Sequence, residues 1–267
     1  MTPPRQIDGI DVFVEGEGGE SIVMIHGWPD TYRLWDAQVA CFRDRYRCVR
    51  FTLPGFDIDK PRRAYSLAET IATLRKIIEE TSPGRRVILM LHDWGCAFGY
   101  QLAMRHPSLV AKIVGVDIGD TGAEHVRSLS AKAKAMIFAY QIWLVIAWRI
   151  GGRVGDWMTR SMARALRAPG DARFIDSRMN YPYDIAWTGA HGSYRDMVRF
   201  EPAVPMLFVY GKRKPFLFHT PEWADALGTL PGSQVRAFRT GHWVMSEQPR
   251  QFNEVVDAWL AAGMRLE

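Results

Sequence analysis

Cysteine is scarce in this sequence: Cys41, Cys48 and Cys96 are the three present. Their number is odd and none stands at a metal-ligand spacing, which excludes a disulfide-stapled module and a zinc ribbon and predicts a reducing compartment. Long apolar runs are also missing. The richest window, Met136 to Trp148, contains Gln141 and falls short of the roughly 20 residues a bilayer-crossing helix needs, so it predicts a lid or core helix and no membrane partner. No low-complexity tract or charged tail occurs. The opening MTPPRQIDG lacks the basic-then-apolar order of a secretory signal, and a cytoplasmic location is the expectation. With no His/Cys/carboxylate cluster at ligand spacing, neither a metal nor an organic cofactor is expected.

What the chain does have is core. At 267 residues and 48% hydrophobic content it can bury one large interior. Its net charge of +5 is uneven. Residues 122–200 hold 12 Lys/Arg against 6 Asp/Glu, and Arg160, Arg164 and Arg167 share one helical face. Without interleaved base-stacking aromatics, that stripe reads as a solvated face and no nucleic-acid partner is expected.

Strand-like alternation runs over Ile7 to Val14, and further strands are expected at Ser21 to Ile25, Arg47 to Thr52, Val87 to Leu91 and Leu109 to Ile118. Helical spacing appears between them: Trp35, Val39 and Phe42 within Thr31 to Phe42, then Leu67, Ile71, Leu74 and Ile78 behind a Ser66–Glu69 capping box, then Ala97 to Arg105. Strand and helix alternate, which predicts a doubly wound, mostly parallel α/β sheet. From 122 to 200 only helical patterns occur. They form an expected cap between a first core part, 1–121, and a second, 201–267. Strands resume at Pro205 to Tyr210 and Gln234 to Phe238, and a helix over Glu247 to Ala262 closes the chain.

The most informative stretch is Arg86 to Gly99, RVILMLHDWGCAFG. A buried strand ends abruptly at Asp93, which falls on a tight strand-to-helix turn of nucleophile-elbow type. Gly95 supplies one small neighbour. Leu91 stands where a second small residue is preferred. The alternative job for Asp93 is N-cap of the following helix. At the end of the Ser21–Ile25 strand, Gly27 lets the backbone approach a bound oxygen, and the amides of Trp28 and Trp94 can converge as an oxyanion hole. His242 sits in the loop before the last helix.

Taken together, His26-Gly27-Trp28-Pro29, His92-Asp93-Trp94-Gly95, the helical insertion and Gly241-His242 resemble the α/β-hydrolase superfamily, with an inserted cap. Asp93-Trp94 at the elbow resembles its epoxide hydrolase and haloalkane dehalogenase branch, and the absence of G-x-S-x-G disfavours serine esterases. Within that branch, Phe138 to Trp143 and Gly192 to Arg195 are similar to the two tyrosine-bearing cap motifs of epoxide hydrolases. The resemblance implies that Tyr140 and Tyr194 hydrogen-bond an epoxide oxygen, with Tyr181 and Tyr183 in reserve. It further implies substrate contacts at His26, Gln141, Trp143 and Trp243. One departure is evident: Lys214 occupies the loop position where epoxide hydrolases usually carry the acid that orients the histidine. Some haloalkane dehalogenases carry that acid after the preceding core strand, which implies Asp117, with Asp120 as the alternative.

The chemistry implied is attack on an sp³ epoxide carbon by a carboxylate already ionised at neutral pH, its ordinary pKa being about 4. The resulting ester on Asp93 is hydrolysed by water that His242 activates. The expected activity is conversion of a small apolar epoxide and water to a vicinal diol. Haloalkane dehalogenation through the same ester is the runner-up, a non-catalytic binding protein on a hydrolase scaffold is third, and a homodimer is left open.

Overall fold

A computed structural model describes residues 3–263, which form an eight-stranded sheet flanked by helices. The strands are β1 (Arg5–Ile7), β2 (Ile10–Glu15), β3 (Ser21–Ile25), β4 (Arg47–Phe51), β5 (Val87–His92), β6 (Val110–Val116), β7 (Met206–Gly211) and β8 (Gln234–Phe238). They lie in the order β1-β2-β4-β3-β5-β6-β7-β8. The first two strands and the β2–β4 pair are antiparallel, and every later pairing is parallel. The single strand expected over Ile7 to Val14 is two, because Asp8 (φ 50°) and Gly9 (φ 75°) adopt the left-handed backbone of a tight two-residue turn.

The central strands are apolar throughout because both faces are covered. Along β5, Val87, Leu89 and Leu91 enter the core cluster on one face and Ile88 and Met90 the cluster on the other; β3 and β7 alternate in the same register. The first face is covered by α2 (Leu67–Thr81), α3 (Trp94–Arg105) and α8 (Pro221–Thr229), the second by α1 (Asp36–Phe42), α9 (Val244–Glu247) and α10 (Pro249–Gly263). Ser66 caps α2 with both arms of its capping box formed. The expected helix Thr31 to Phe42 opens instead as a 3-10 turn over Tyr32–Trp35, and α8 lay hidden in a stretch where no helix was expected.

Between β6 and β7 the chain leaves the sheet for α4 (Ala123–Ser128), α5 (Ala131–Ile150), α6 (Gly152–Ala165) and α7 (Tyr181–Thr188). This cap is tied down over the strand ends. Trp28 Nε1 donates to Asn180 (2.7 Å), Tyr181 Oη to the Pro54 carbonyl (2.9 Å), and Arg178 to the carbonyls of Asp57, Ile58 and Lys60. Sheet order reverses between β3 and β5, and the crevice beyond such a reversal is where open α/β sheets present their functional loops.

Candidate active site

Asp93 occupies the turn between β5 and α3 with φ 52° and ψ −123°, a backbone that an L residue adopts only when its surroundings impose it. Its side chain makes no capping bond to α3. The crowding is relieved by glycine. A Cβ on Gly27 would lie 2.3 Å from Asp93 Oδ1, and one on Gly95 would lie 2.2 Å from the Ile25 carbonyl. Leu91, large where a small residue is preferred, is accommodated by Gly99 one face along α3, where a Cβ would come within 2.5 Å of its side chain. The compensating small residue is eight positions away in sequence.

The two carboxylate oxygens of Asp93 are differently held. Oδ1 accepts the Trp28 backbone N–H at 2.7 Å, while Oδ2 lies 3.5 Å from His242 Nε2. Burial works against its charge, but the His242 hydrogen bond and positive charge, with the Trp94 backbone N–H, outweigh it and hold the carboxyl below its ordinary range.

On the far side of the imidazole, His242 Nδ1–H donates to Asp117 Oδ2 at 2.5 Å. Asp117 is fully buried just after β6, at φ 72°; its Oδ1 accepts the Gly211 N–H at 3.0 Å. Lys214 Nζ binds Oδ2 of the same carboxylate, so one oxygen is shared by an ammonium and an imidazole. Burial opposes ionisation of Asp117, yet Lys214 and His242 draw its pKa down to about 2. Burial likewise opposes charge on His242, but Asp117 and Asp93 raise it to about 9. Asp120 is elsewhere: its carboxylate accepts the backbone N–H and hydroxyl of Thr220, each at 2.7 Å, at the start of α8.

Two cap phenols flank the indole of Trp94, and a third packs on one of them. Tyr183 packs edge-on at 5.3 Å and Tyr194 lies tilted at 5.7 Å, while Tyr140 packs edge-on to Tyr183 at 6.2 Å. Tyr140 Oη accepts from Gln141 Nε2 at 3.1 Å, and burial with the charge of Asp93 keeps it protonated. Tyr183 is raised by burial and then by Asp93, with the Trp94 indole beside its hydroxyl. The Tyr194 hydroxyl is buried with no hydrogen-bond partner among the described residues.

A family model described as the alpha/beta hydrolase family matches residues 22–255. The chain belongs to the alpha/beta hydrolase family. Epoxide hydrolase 1 of Caenorhabditis elegans is 24% identical over 263 residues, covering 90% of this chain but 64% of that protein's own length. A cis-3-alkyl-4-alkyloxetan-2-one decarboxylase of Xanthomonas campestris is 26% identical, covering 96% of this chain and 95% of its own. In fold, the hydrolase is similar to an epoxide hydrolase mutant from Bacillus megaterium in complex with its diol product, at a TM-score of 0.74, 21% identity, and coverage of 96% and 99%.

Other expected site residues of this hydrolase are turned elsewhere. His26, expected at the substrate, is buried, donates through Nδ1 to the Gly27 carbonyl and accepts the Leu53 N–H at Nε2, each at 2.9 Å; burial lowers its pKa to about 4. Its neutral ring holds two loops together. Trp243 is likewise buried and donates to Asp30 Oδ2 at 2.8 Å, and Trp143 spends its N–H on the Met158 carbonyl at 3.0 Å. Tyr181, a reserve phenol, is bound to Pro54. The sequence reading missed Lys214 as a partner of Asp117, and Asn180 as the anchor of Trp28. For Asn180, a polar residue in a helical cap was the available signal.

Proposed function

We propose that this hydrolase opens an apolar epoxide to a vicinal diol through an ester on Asp93. The observation that carries the reading is the unequal binding of the two Asp93 oxygens: Oδ1 accepts the Trp28 amide while Oδ2 is left beside the imidazole of His242. Oδ2 attacks the ring carbon in line, the C–O bond breaks, and the departing oxygen takes a proton from a phenol. Tyr140 and Tyr194 fill that role. Both are kept protonated by burial, and the Tyr194 hydroxyl, buried without a partner, is a donor that an incoming oxygen would satisfy.

Forming the ester erases the Asp93 charge, one of the causes that hold His242 protonated. The imidazolium then loses its proton more easily, restoring the phenol that gave one up. The neutral imidazole takes a proton from water, which attacks the ester carbonyl while Oδ1, now its carbonyl oxygen, gains negative charge against the Trp28 and Trp94 amides. The carbonyl reforms, the bond from the Asp93 carbonyl carbon to Oδ2 breaks, and the imidazolium returns its proton to the departing diol oxygen. Asp117 supports the imidazolium that results. A halide leaving group is less well served, since the Trp143 N–H is already engaged and phenols outnumber indole donors around Trp94.

Single turnover in ¹⁸O-water tests the order of events. Label is expected in the Asp93 carboxylate after one turnover and not in the diol; label in the diol first means direct attack by water. The Xanthomonas relative adds a second reading in which the strained ring is a β-lactone. Including one in the substrate panel, with release of CO₂ as its readout, decides between the rings.

A further inference from the structure

Among the described residues, large apolar side chains exposed to solvent concentrate in the cap: Phe138, Ile146 and Ile150 on α5, Val154 and Trp157 on α6, and Trp187 on α7. Trp157 is 57% exposed and Phe138 53%. They are not scattered. Phe138, half-buried Ile142, Ile146 and Ile150 follow one another at four-residue steps along α5, Phe138 packs edge-on to Trp187 at 5.3 Å, and on α6 Val154 and Trp157 are exposed, with Trp157 tilted on Trp143 of α5 at 6.4 Å. Isolated exposed apolar residues need no explanation, but a contiguous stripe marks a surface with a partner.

The same hairpin is strongly basic. Residues 131–167 contain seven Lys/Arg and one acid, Asp156, whose carboxylate is already bound by Ser177. Arg149 pairs with Asp184, whereas Lys132, Arg153, Arg164 and Arg167 are exposed with no carboxylate partner among the described residues. The sequence alone reads these arginines as a solvated face; the aromatic stripe beside them changes that reading. A second copy of this chain would set the positive surface against itself. An anionic lipid surface complements both features at once.

We propose that the outer face of α5 and α6 docks on an anionic bilayer, its aromatic and aliphatic stripe entering the headgroup boundary and its lysines and arginines meeting lipid phosphates. The helix lies along the surface and does not cross it. At 20 residues α5 is about 30 Å long, enough in length and composition to span, but its other face carries buried Leu144, Val145 and Ala147 against the rest of the cap. Docking would also touch the reaction site at short range: Trp187 Nε1 donates to Gln141 at 2.8 Å, and Gln141 donates to Tyr140 Oη at 3.1 Å.

Vesicle sedimentation of the full chain tests this independently of any substrate. Partition onto phosphatidylcholine/phosphatidylserine vesicles at roughly 3:1 is expected to exceed that onto phosphatidylcholine alone by about tenfold or more, and to collapse near 1 M salt. Val154→Ser with Trp157→Ser should reduce it roughly tenfold, and Arg153→Gln with Arg164→Gln should remove the lipid-charge dependence, both with unchanged thermal unfolding. Protein left in the supernatant with the anionic vesicles, or equal binding to both kinds, overturns the proposal. So does a dimer in sedimentation velocity that the Val154/Trp157 variant dissociates, which would assign the face to a second copy.

Discussion

The sheet and the cap hold their polar groups in opposite ways. At the strand ends, Asp93, Asp117 and His242 are tied into one chain of contacts, with all four carboxylate oxygens engaged and one Asp117 oxygen shared by Lys214 and His242. In the cap, among the described residues, the Tyr194 hydroxyl has no partner and Tyr140 accepts a bond while its proton is uncommitted, and the outer helices expose tryptophan and phenylalanine. The contrast teaches a division of labour. On the proposed function, the sheet prepares a charged nucleophile and its base in advance, and on the proposed docking the cap keeps donors and surface idle until a substrate or a bilayer arrives.

Breaking the sheet side should cost most. Asp93→Asn removes the nucleophile, and diol formation is expected to fall at least a thousandfold or so. Asp117→Asn leaves His242 without its orienting partner and should lower turnover by about a hundredfold or more, while Asp120→Asn, which removes a brace on Thr220, should alter Tm more than turnover. Equal tolerance of the two acid substitutions would mean that the partner of His242 is misassigned.

The cap side should be softer. Tyr140→Phe and Tyr194→Phe are each expected to reduce ring opening roughly ten- to a hundredfold, with a smaller loss for Tyr183→Phe. A larger loss at Tyr183 would move the second donor there, toward the phenol that the Asp93 charge reaches directly.

Lys214 sharpens the comparison through pH. Its ammonium competes with His242 for one oxygen of Asp117, so Lys214→Met should strengthen the imidazolium and shift the acid limb of ester hydrolysis upward by about one pH unit. A uniform loss with no shift would make the lysine structural. The smallest effect expected is on stability. His242 is raised from 6.5 to about 9 in the folded chain, so its contribution is full below pH 6.5 and fades as pH rises through 9. The thermal unfolding temperature of His242→Gln should therefore vary less than wild type across that window.

The sheet was legible in sequence because burial on two faces writes continuous apolar runs, and the elbow because Asp93 interrupts one of them. Asp117 was reachable by position after β6. Lys214 was not: a cation in that loop looks like a lost acid until β7 pairs with β6 and brings it back onto Asp117. His26 and Trp243 adjoin site residues in sequence yet turn into the core, and neighbours along a chain carry no information about which way a ring points. The cap was the least legible part, since an apolar helix reads alike whether its face meets core, substrate or lipid.

The proposed covalent ester at Asp93 is tested most directly by intact-protein mass spectrometry of His242→Gln mixed with an epoxide. A mass gain equal to the epoxide, mapped to the peptide containing Asp93 and absent in the Asp93→Asn/His242→Gln double variant, is the predicted result. No gain during diol formation, or a gain mapped to another residue, would contradict it.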